Sequence, residues 1–447
     1  MCVGYFLVLL DVTIVNVALP SIASGLEADV GSLQWVVDGY AIALASLMLA
    51  GGSTGDLHGH RRIVLVGLCL FGAASLACGA APGAGALIAA RAVQGAGAAL
   101  LLPGTLAIVT HAFPEAGEQA RAIGVWASIG SLALPAGPLL GGALTAAFGW
   151  RAVFLVNVPV VIAAFVAAGR VVPESREPRE GRIDVPGALL AATVLAALTL
   201  AFVEAGRGGH AALVAAAGGL AIAALAAFVA VERSVEHPML PLALFRRPGF
   251  AAANGVAGAM NLGTLGMLFV LTLYLQTVQG RSALAAGIAV IPLFLPLSVI
   301  APLAGRVTAR AGPKLPMAAG LTISALGVGL LAHADAGSSY LQLLPPLLLW
   351  GIGLGVLTPA VVAAAVRTVP PERAGLASAV NNTARQAGGA IGIAAFGAIA
   401  GSAADVGGFI SGMHQSALLA VGIWLIACAT TLALIPARSS ACEELAY

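Results

Sequence analysis

Charge is what this chain has least of. Only 9% of its 447 residues are Asp, Glu, Lys or Arg, against about 25% in ordinary soluble domains. With 60% hydrophobic residues beside it, that deficit excludes a soluble globular protein of this length. Lysine is nearly missing: Lys314 stands alone among the arginines, and Ala and Gly are abundant, a usage typical of a GC-rich bacterial genome. No Gly-x-x-x-x-Gly-Lys string is present, so an ATP-driven engine within this chain is not expected. The five cysteines are scattered without metal-ligand spacing and read as packing residues. The seven histidines are equally dispersed, with His58 and His60 reading as surface groups. Neither a metal nor a bound cofactor is expected, and a net charge of +2 gives no reason to expect nucleic acid. Aromatics are sparse at 5%, which limits cation–π recognition.

What the chain does have is long apolar runs. Windows of 17–25 apolar residues, each long enough to cross a bilayer, recur about fourteen times between Met1 and Pro436. Arg61, Arg62, Arg121, the group Arg170 to Arg182, Arg233, Arg246, Arg247, Arg306, Arg310, Lys314, Arg367, Arg373 and Arg438 fall at every second connection. The remaining connections hold only Arg151, Arg207 and Arg281. Basic loops stay cytoplasmic, so both termini are expected on that side of a multi-pass protein. Met1 to Leu10 lacks a basic leader region and a small-residue cleavage site and reads as the first span. The basic arm that ordinarily precedes a first span is missing, which suits a truncated or misassigned start.

A weak internal repeat, offset by 253–256 residues, relates Gly95, Gly97, Pro103 and Pro114 to Gly351, Gly353, Pro359 and Pro370. It also relates Gly52 and Gly59 to Gly305 and Gly312. A repeat of this length in a membrane protein signals two related helical halves. The expected organisation is a six-helix bundle over 1–172, a linker with two inserted helices over 173–250, a second six-helix bundle over 251–436, and a short cytoplasmic tail over 437–447. Pro173 to Pro186 reads as a solvated cytoplasmic loop. The halves differ in charge: Asp56 corresponds to Ala309, and Arg91 to Leu347. Any proton machinery is therefore expected in the first half.

Three ionisable residues carry that expectation. Arg91 lies in Leu87-Ile-Ala-Ala-Arg91-Ala-Val-Gln94-Gly95-Ala-Gly97, inside an otherwise apolar span. A charge at a bilayer centre costs about 2.5–3.5 kcal/mol on insertion scales and is rare without a role. Arg91, Gln94, Gly95, Ala98, Leu102 and Thr105 share one helical face, suited to a path or a moving contact. Asp11 lies halfway along span one, and Asp38 near the outer end of span two. Asp38 and Arg91 sit at similar depth, roughly 6–8 Å below the outer edge at 1.5 Å per residue. An Asp38–Arg91 pair is therefore expected, with Asp11 deeper. An acid near Arg91 is able to ionise in a low dielectric, and its protonation then responds to neighbours and water. Thr13 and Asn16 share a face from which Asp11 points away, and Asn16 serves as packing glue as readily as cavity lining. Arg385, several residues into the thirteenth span, either lines the cavity or reaches the cytoplasmic surface.

Two further strings read as conformational. Gly137-Pro138-Leu-Leu-Gly141-Gly142 on span five places two glycines four apart, a groove for close helix approach, beside a bend-favouring proline. Gly52-Ser-Thr-Gly-Asp56-Leu-His58-Gly59-His60-Arg61-Arg62 joins spans two and three. Asp56 and Arg61 there are candidates for a charge latch that breaks as helices slide.

These strings, in this order, resemble the major facilitator superfamily, and within it the fourteen-helix drug:proton antiporter branch. Leu10-Asp11-Val-Thr-Ile-Val-Asn16-Val-Ala-Leu-Pro20 resembles that branch's first-helix signature. Arg91 to Gly97 resembles its helix-four motif, in which the arginine is implicated in proton transfer. Gly137 to Gly142 resembles the helix-five motif of exporters. The loop motif carries over at Gly52, Asp56, Gly59 and Arg61 and departs at Thr54, Leu57 and His60. The resemblance implies an all-α membrane protein with a major-facilitator-type fold: two six-helix bundles plus two inserted helices. It implies a non-enzymatic antiporter in the bacterial cytoplasmic membrane, functional as a monomer. Its partners would be a small, largely apolar substrate, protons and lipid, and the proton gradient would replace any cofactor. Asp11, Asp38 and Arg91 would couple protons. Proton-coupled nutrient uptake is the alternative reading; a membrane-embedded transferase or a non-transporting sensor is more distant.

Overall fold

In a computed structural model the chain is helical nearly throughout. The structure describes residues 1–113, 115–172, 174, 184–206, 208–235, 238, 240, 242–369, 374–402 and 405–436. The tail 437–447, most of the linker after Pro173, Arg207, Glu372 and Arg373 lie outside the described residues, as do the side chains of Asp56 and Arg121.

Helices dominate because a bilayer offers no partner to backbone N–H and C=O groups, and a helix satisfies both within itself. Among the described residues, twelve spans are long and apolar enough to cross a membrane. They include the composite spans Arg151–Val171, Pro248–Val278 and Ala283–Ala311. Two more long helices, α5 (Ala116–Phe148) and α15 (Ala374–Ala400), bring the long helical segments to the fourteen that the apolar runs predict.

The chain divides into two compact units. Unit one takes Met1–Leu240 with Leu275–Ile288; unit two takes Pro241–Tyr274 with Ala289–Tyr447. In unit one, α1 (Cys2–Leu26) packs on α5, while α2 (Val30–His58) and α3 (His60–Gly79) both pack on α4 (Ala84–Ala112). Span six is broken into α6 (Arg151–Leu155) and α7 (Asn157–Val171). The two inserted helices, α8 (Val185–Gly206) and α9 (Ala211–Ser234), form a hairpin whose α8 lies against α2. In unit two, α10 (Pro248–Leu273) packs on α15, and α13 (Lys314–Leu331) on α14 (Tyr340–Arg367).

The internal repeat is visible as repeated packing. Gly67 of α3 meets the carbonyl of Gly97 on α4, and Gly320 of α13 meets that of Gly353 on α14; an added Cβ would lie 3.1 and 2.7 Å from those oxygens. Gly52 faces Pro103 in unit one as Gly305 faces Pro359 in unit two. Gly59 and Gly312 end their helices at φ of +98° and +86°, a backbone conformation that glycine alone adopts without penalty. The halves differ where the sequence says they differ: fully buried Leu347 stands at the place of Arg91.

Candidate proton-coupling site

Polar side chains inside unit one converge on Asp11. Its Oδ2 forms an ion pair with Arg91 Nη1. Its Oδ1 accepts from Gln94 Nε2 at 2.9 Å and from Asn157 Nδ2 at 3.3 Å. Arg91 Nη1 also donates to Gln94 Oε1 at 2.7 Å, and Arg91 Nε to the Val36 carbonyl at 3.1 Å. The Ser75 hydroxyl accepts from both amides, 2.8 Å from Gln94 Nε2 and 3.1 Å from Asn157 Nδ2. The Arg91 guanidinium lies 4.3 Å from the centre of the Tyr40 ring and 5.8 Å from that of Phe154. Asp11, Gln94, Ser75 and Asn157 are 0% exposed, and Arg91 is 1% exposed.

Each piece follows from its helix. Arg91 and Gln94 are three apart on α4 and so share a face. Ser75 and Cys78 hold the same spacing on α3, and the Cys78 thiol points at Gln94 Oε1 from 3.6 Å. Asn157 is carried inward at the start of α7, where span six breaks. A buried ion pair is stable only when its remaining donors and lone pairs are also served. Here Gln94 supplies that service in full: both amide hydrogens and its carbonyl are engaged. Asn157 does not, since its Oδ1 has no partner among the described residues.

The expected Asp38–Arg91 pair is corrected. Arg91 pairs with Asp11, and both carboxyl oxygens of fully buried Asp38 lack a hydrogen bond among the described residues. Similar depth on two helices misleads because facing, not depth, selects the partner. The side chain of Arg91 is long enough to leave its own level and reach inward to α1. Asn16 folds back on its own helix, donating to the Val12 carbonyl at 2.9 Å. Thr105 donates to Leu102 O at 3.1 Å and is fully buried. Gly95 lies against α2, where an added Cβ would stand 3.0 Å from Ala43 Cβ, so it serves helix approach. Arg385 is half-buried on α15 of unit two.

The conformational strings take these positions. Gly137 and Gly141 of α5 receive α1; an added Cβ at Gly141 would lie 2.6 Å from the Ile14 carbonyl oxygen. Gly142 meets Leu284 on the short α11 (Ala283–Ala289), and Gly287 of that helix packs on the Pro138 carbonyl. Gly141→Ala is expected to lower stability by about 1–3 kcal/mol through overpacking, read from thermal unfolding in detergent; an unchanged unfolding temperature would contradict the packing. At the loop between α2 and α3, Arg61 turns to the end of span six and the chain just after it. Its backbone N–H donates to Glu174 Oε1 at 3.0 Å, and its guanidinium to the Gly169 carbonyl. His58 is exposed, but His60 is 2% exposed and packed beside Gly55, so the surface reading of His60 is corrected.

Ser75, Cys78, Tyr40, Phe154 and Asn157 are members of the site that sequence reasoning passed over. The i, i+3 spacing of Ser75 and Cys78 in an apolar span was a usable signal. So was Asn157, an isolated amide within the sixth span.

Residues 1–393 match the family model described as Major Facilitator Superfamily. The chain belongs to the Major Facilitator Superfamily of membrane transporters. It is 37% identical over 402 residues to the multidrug resistance protein Stp of Mycobacterium tuberculosis, covering 89% of this chain and 74% of that one. It is 36% identical to the puromycin resistance protein pur8 of Streptomyces alboniger, covering 98% and 90%. It is 38% identical to the cephamycin export protein CmcT of Amycolatopsis lactamdurans, covering 98% and 91%. Among solved structures, a peptide transporter POT aligns with TM-score 0.70 at 15% identity, covering 97% of this chain and 94% of that one. A bacterial homologue of the human lysosomal transporter Spinster aligns with TM-score 0.69 at 16% identity, covering 96% and 94%. At such identities the likeness is one of fold.

Proposed function

We propose that this transporter exports small, largely apolar compounds across the bacterial cytoplasmic membrane in exchange for protons moving inward. The observation that carries the reading is the fully buried Asp11–Arg91 pair with its amide and hydroxyl shell. A titratable acid held beside a fixed cation inside a membrane domain is costly to bury and suits proton exchange. The relatives' names, which speak of antibiotic resistance and export, support the same direction of transport. Asp11 and Asp38 are the proton acceptors in this reading, and Arg91 is the cation paired with Asp11. The proton gradient supplies the energy with no bound cofactor, the termini are cytoplasmic, and one chain suffices.

The test is drug-driven proton release from liposomes holding the purified protein. Release on addition of an apolar antibiotic supports exchange; its absence with every compound of a broad panel would end the reading. A preference for neutral or monovalent substrates over dications is also expected. In unit two, Asp335 is exposed and Asp405 is spent on capping α16 (Val406–Leu434), so neither offers a buried countercharge. A dication in a low-dielectric cavity needs two anions or suffers a large desolvation cost. Stronger protection of an expressing strain against a divalent antiseptic than against a monovalent dye would contradict this.

A further inference from the structure

The two inserted helices have no counterpart in the repeat, yet one of them stands against a buried acid. Asp38 of α2 is 0% exposed, and the polar side chain beside its carboxyl is Thr199 of α8, itself 1% exposed. Apart from each other, across the packing of α2 on α8, neither the carboxyl oxygens nor the Thr199 hydroxyl has a hydrogen-bond partner among the described residues. The hydroxyl stands next to the acid with no competing partner.

Thr145, Thr308 and Thr383 share this state among the described residues; Thr199 in addition stands beside a buried carboxyl. A helical threonine ordinarily turns its hydroxyl back on the carbonyl three or four residues earlier. Thr193, six residues earlier on the same helix, does so, bonding to Leu189 O at 2.8 Å. Thr54, Thr264, Thr272 and Thr431 do the same. The Thr199 hydroxyl is left free of its own helix.

The contrast between the two acids gives this a purpose. Asp11 is held by a cation and two amides, all of them donors. A hydroxyl is different: it has one hydrogen to give and two lone pairs to offer. It is able to donate to a carboxylate and to accept from a carboxylic acid without moving from its place.

We propose that Thr199 is a positioning residue for Asp38, through which the inserted hairpin takes part in proton exchange. Its hydroxyl donates to the Asp38 carboxylate when the proton has left and accepts from the carboxyl O–H when the proton is bound. The inference rests on the export reading for its purpose, but the contact is testable apart from transport.

The measurement is infrared difference spectroscopy on the purified, lipid-reconstituted protein, acid minus alkaline, without drug. The carboxyl C=O band of Asp38 is assigned by its loss in Asp38→Asn. Thr199→Val keeps the branched shape and removes the hydroxyl. It is expected to move the band to the higher frequency of a carboxyl lacking a hydrogen bond, and to reduce drug-driven proton release roughly tenfold. Thr199→Ser is expected to restore both, and Thr193→Val to alter neither. The proposal is overturned if the band is the same in Thr199→Val as in the natural protein, if no band is sensitive to Asp38→Asn, or if Thr199→Ser fails to rescue. A natural protein that releases no protons with any drug would sink the export reading instead, and the band comparison would still decide the contact.

Discussion

Asp11→Asn is expected to abolish drug-driven proton exchange while the protein still reaches the membrane. Membrane insertion depends on the apolar spans, and span Cys2–Leu26 keeps its hydropathy when one carboxyl becomes an amide. The chemistry changes far more than the volume. The carboxylate accepts from Arg91, Gln94 and Asn157 and donates to none of them. An amide at that place offers one acceptor oxygen and one donor nitrogen. The nitrogen would confront at least one of the three donors, and no proton would be exchangeable at working pH. A fall of at least a hundredfold in coupled proton release, at matched protein density in liposomes, is the expected reading, from the loss of about 3 kcal/mol or more of paired buried charge. Normal coupling in this variant would remove Asp11 from the mechanism and transfer its role to Asp38.

How much of this was open to reading before the structure depends on the kind of signal. The helical spans, their number and the two-fold repeat are written in composition and spacing, because a bilayer forces every span to be apolar and long. The Gly67–Gly97 and Gly320–Gly353 crossings show why the repeat shows in glycines: close helix approach tolerates no side chain there. The membership of Asp11 and Arg91 was legible too, because a charge in an apolar span announces itself. Their partnership was not. Asp38 matched Arg91 in depth, and depth follows from counting residues along a span. Which helix faces which is decided by packing over the whole unit, and no single segment encodes it. Asn157 was visible as an isolated amide, but its inward turn was not, since the helix break at Val156 leaves no mark in hydropathy. Thr199 was hidden more deeply, since a lone threonine in an apolar helix is ordinary until its neighbour is known.

Arg91→Met is expected to cost more stability than any apolar substitution nearby, and the cost is expected to depend on Asp11. Methionine is shorter than arginine but unbranched, flexible and apolar, and so suits a site beside the Tyr40 and Phe154 rings. It leaves the Asp11 carboxylate without its cation in a site that is 0% exposed. Breaking a buried ion pair by removing one member destabilises by about 3–5 kcal/mol, because the survivor remains charged and unpaired. Adding Asp11→Asn to Arg91→Met removes the second charge as well. Replacing both members of a buried pair is often close to neutral, so the double variant is expected to regain most of the lost stability while remaining inactive in proton exchange. Loss of function with stability regained would separate the electrostatic role of the pair from its part in holding α1 to α4. Thermal unfolding of the four proteins in one detergent, compared as a double-mutant cycle, supplies the measurement. If the double variant is as unstable as the sum of its single substitutions, the two side chains are energetically independent. In that case Gln94, Ser75 and Asn157, rather than the charges, hold this site together.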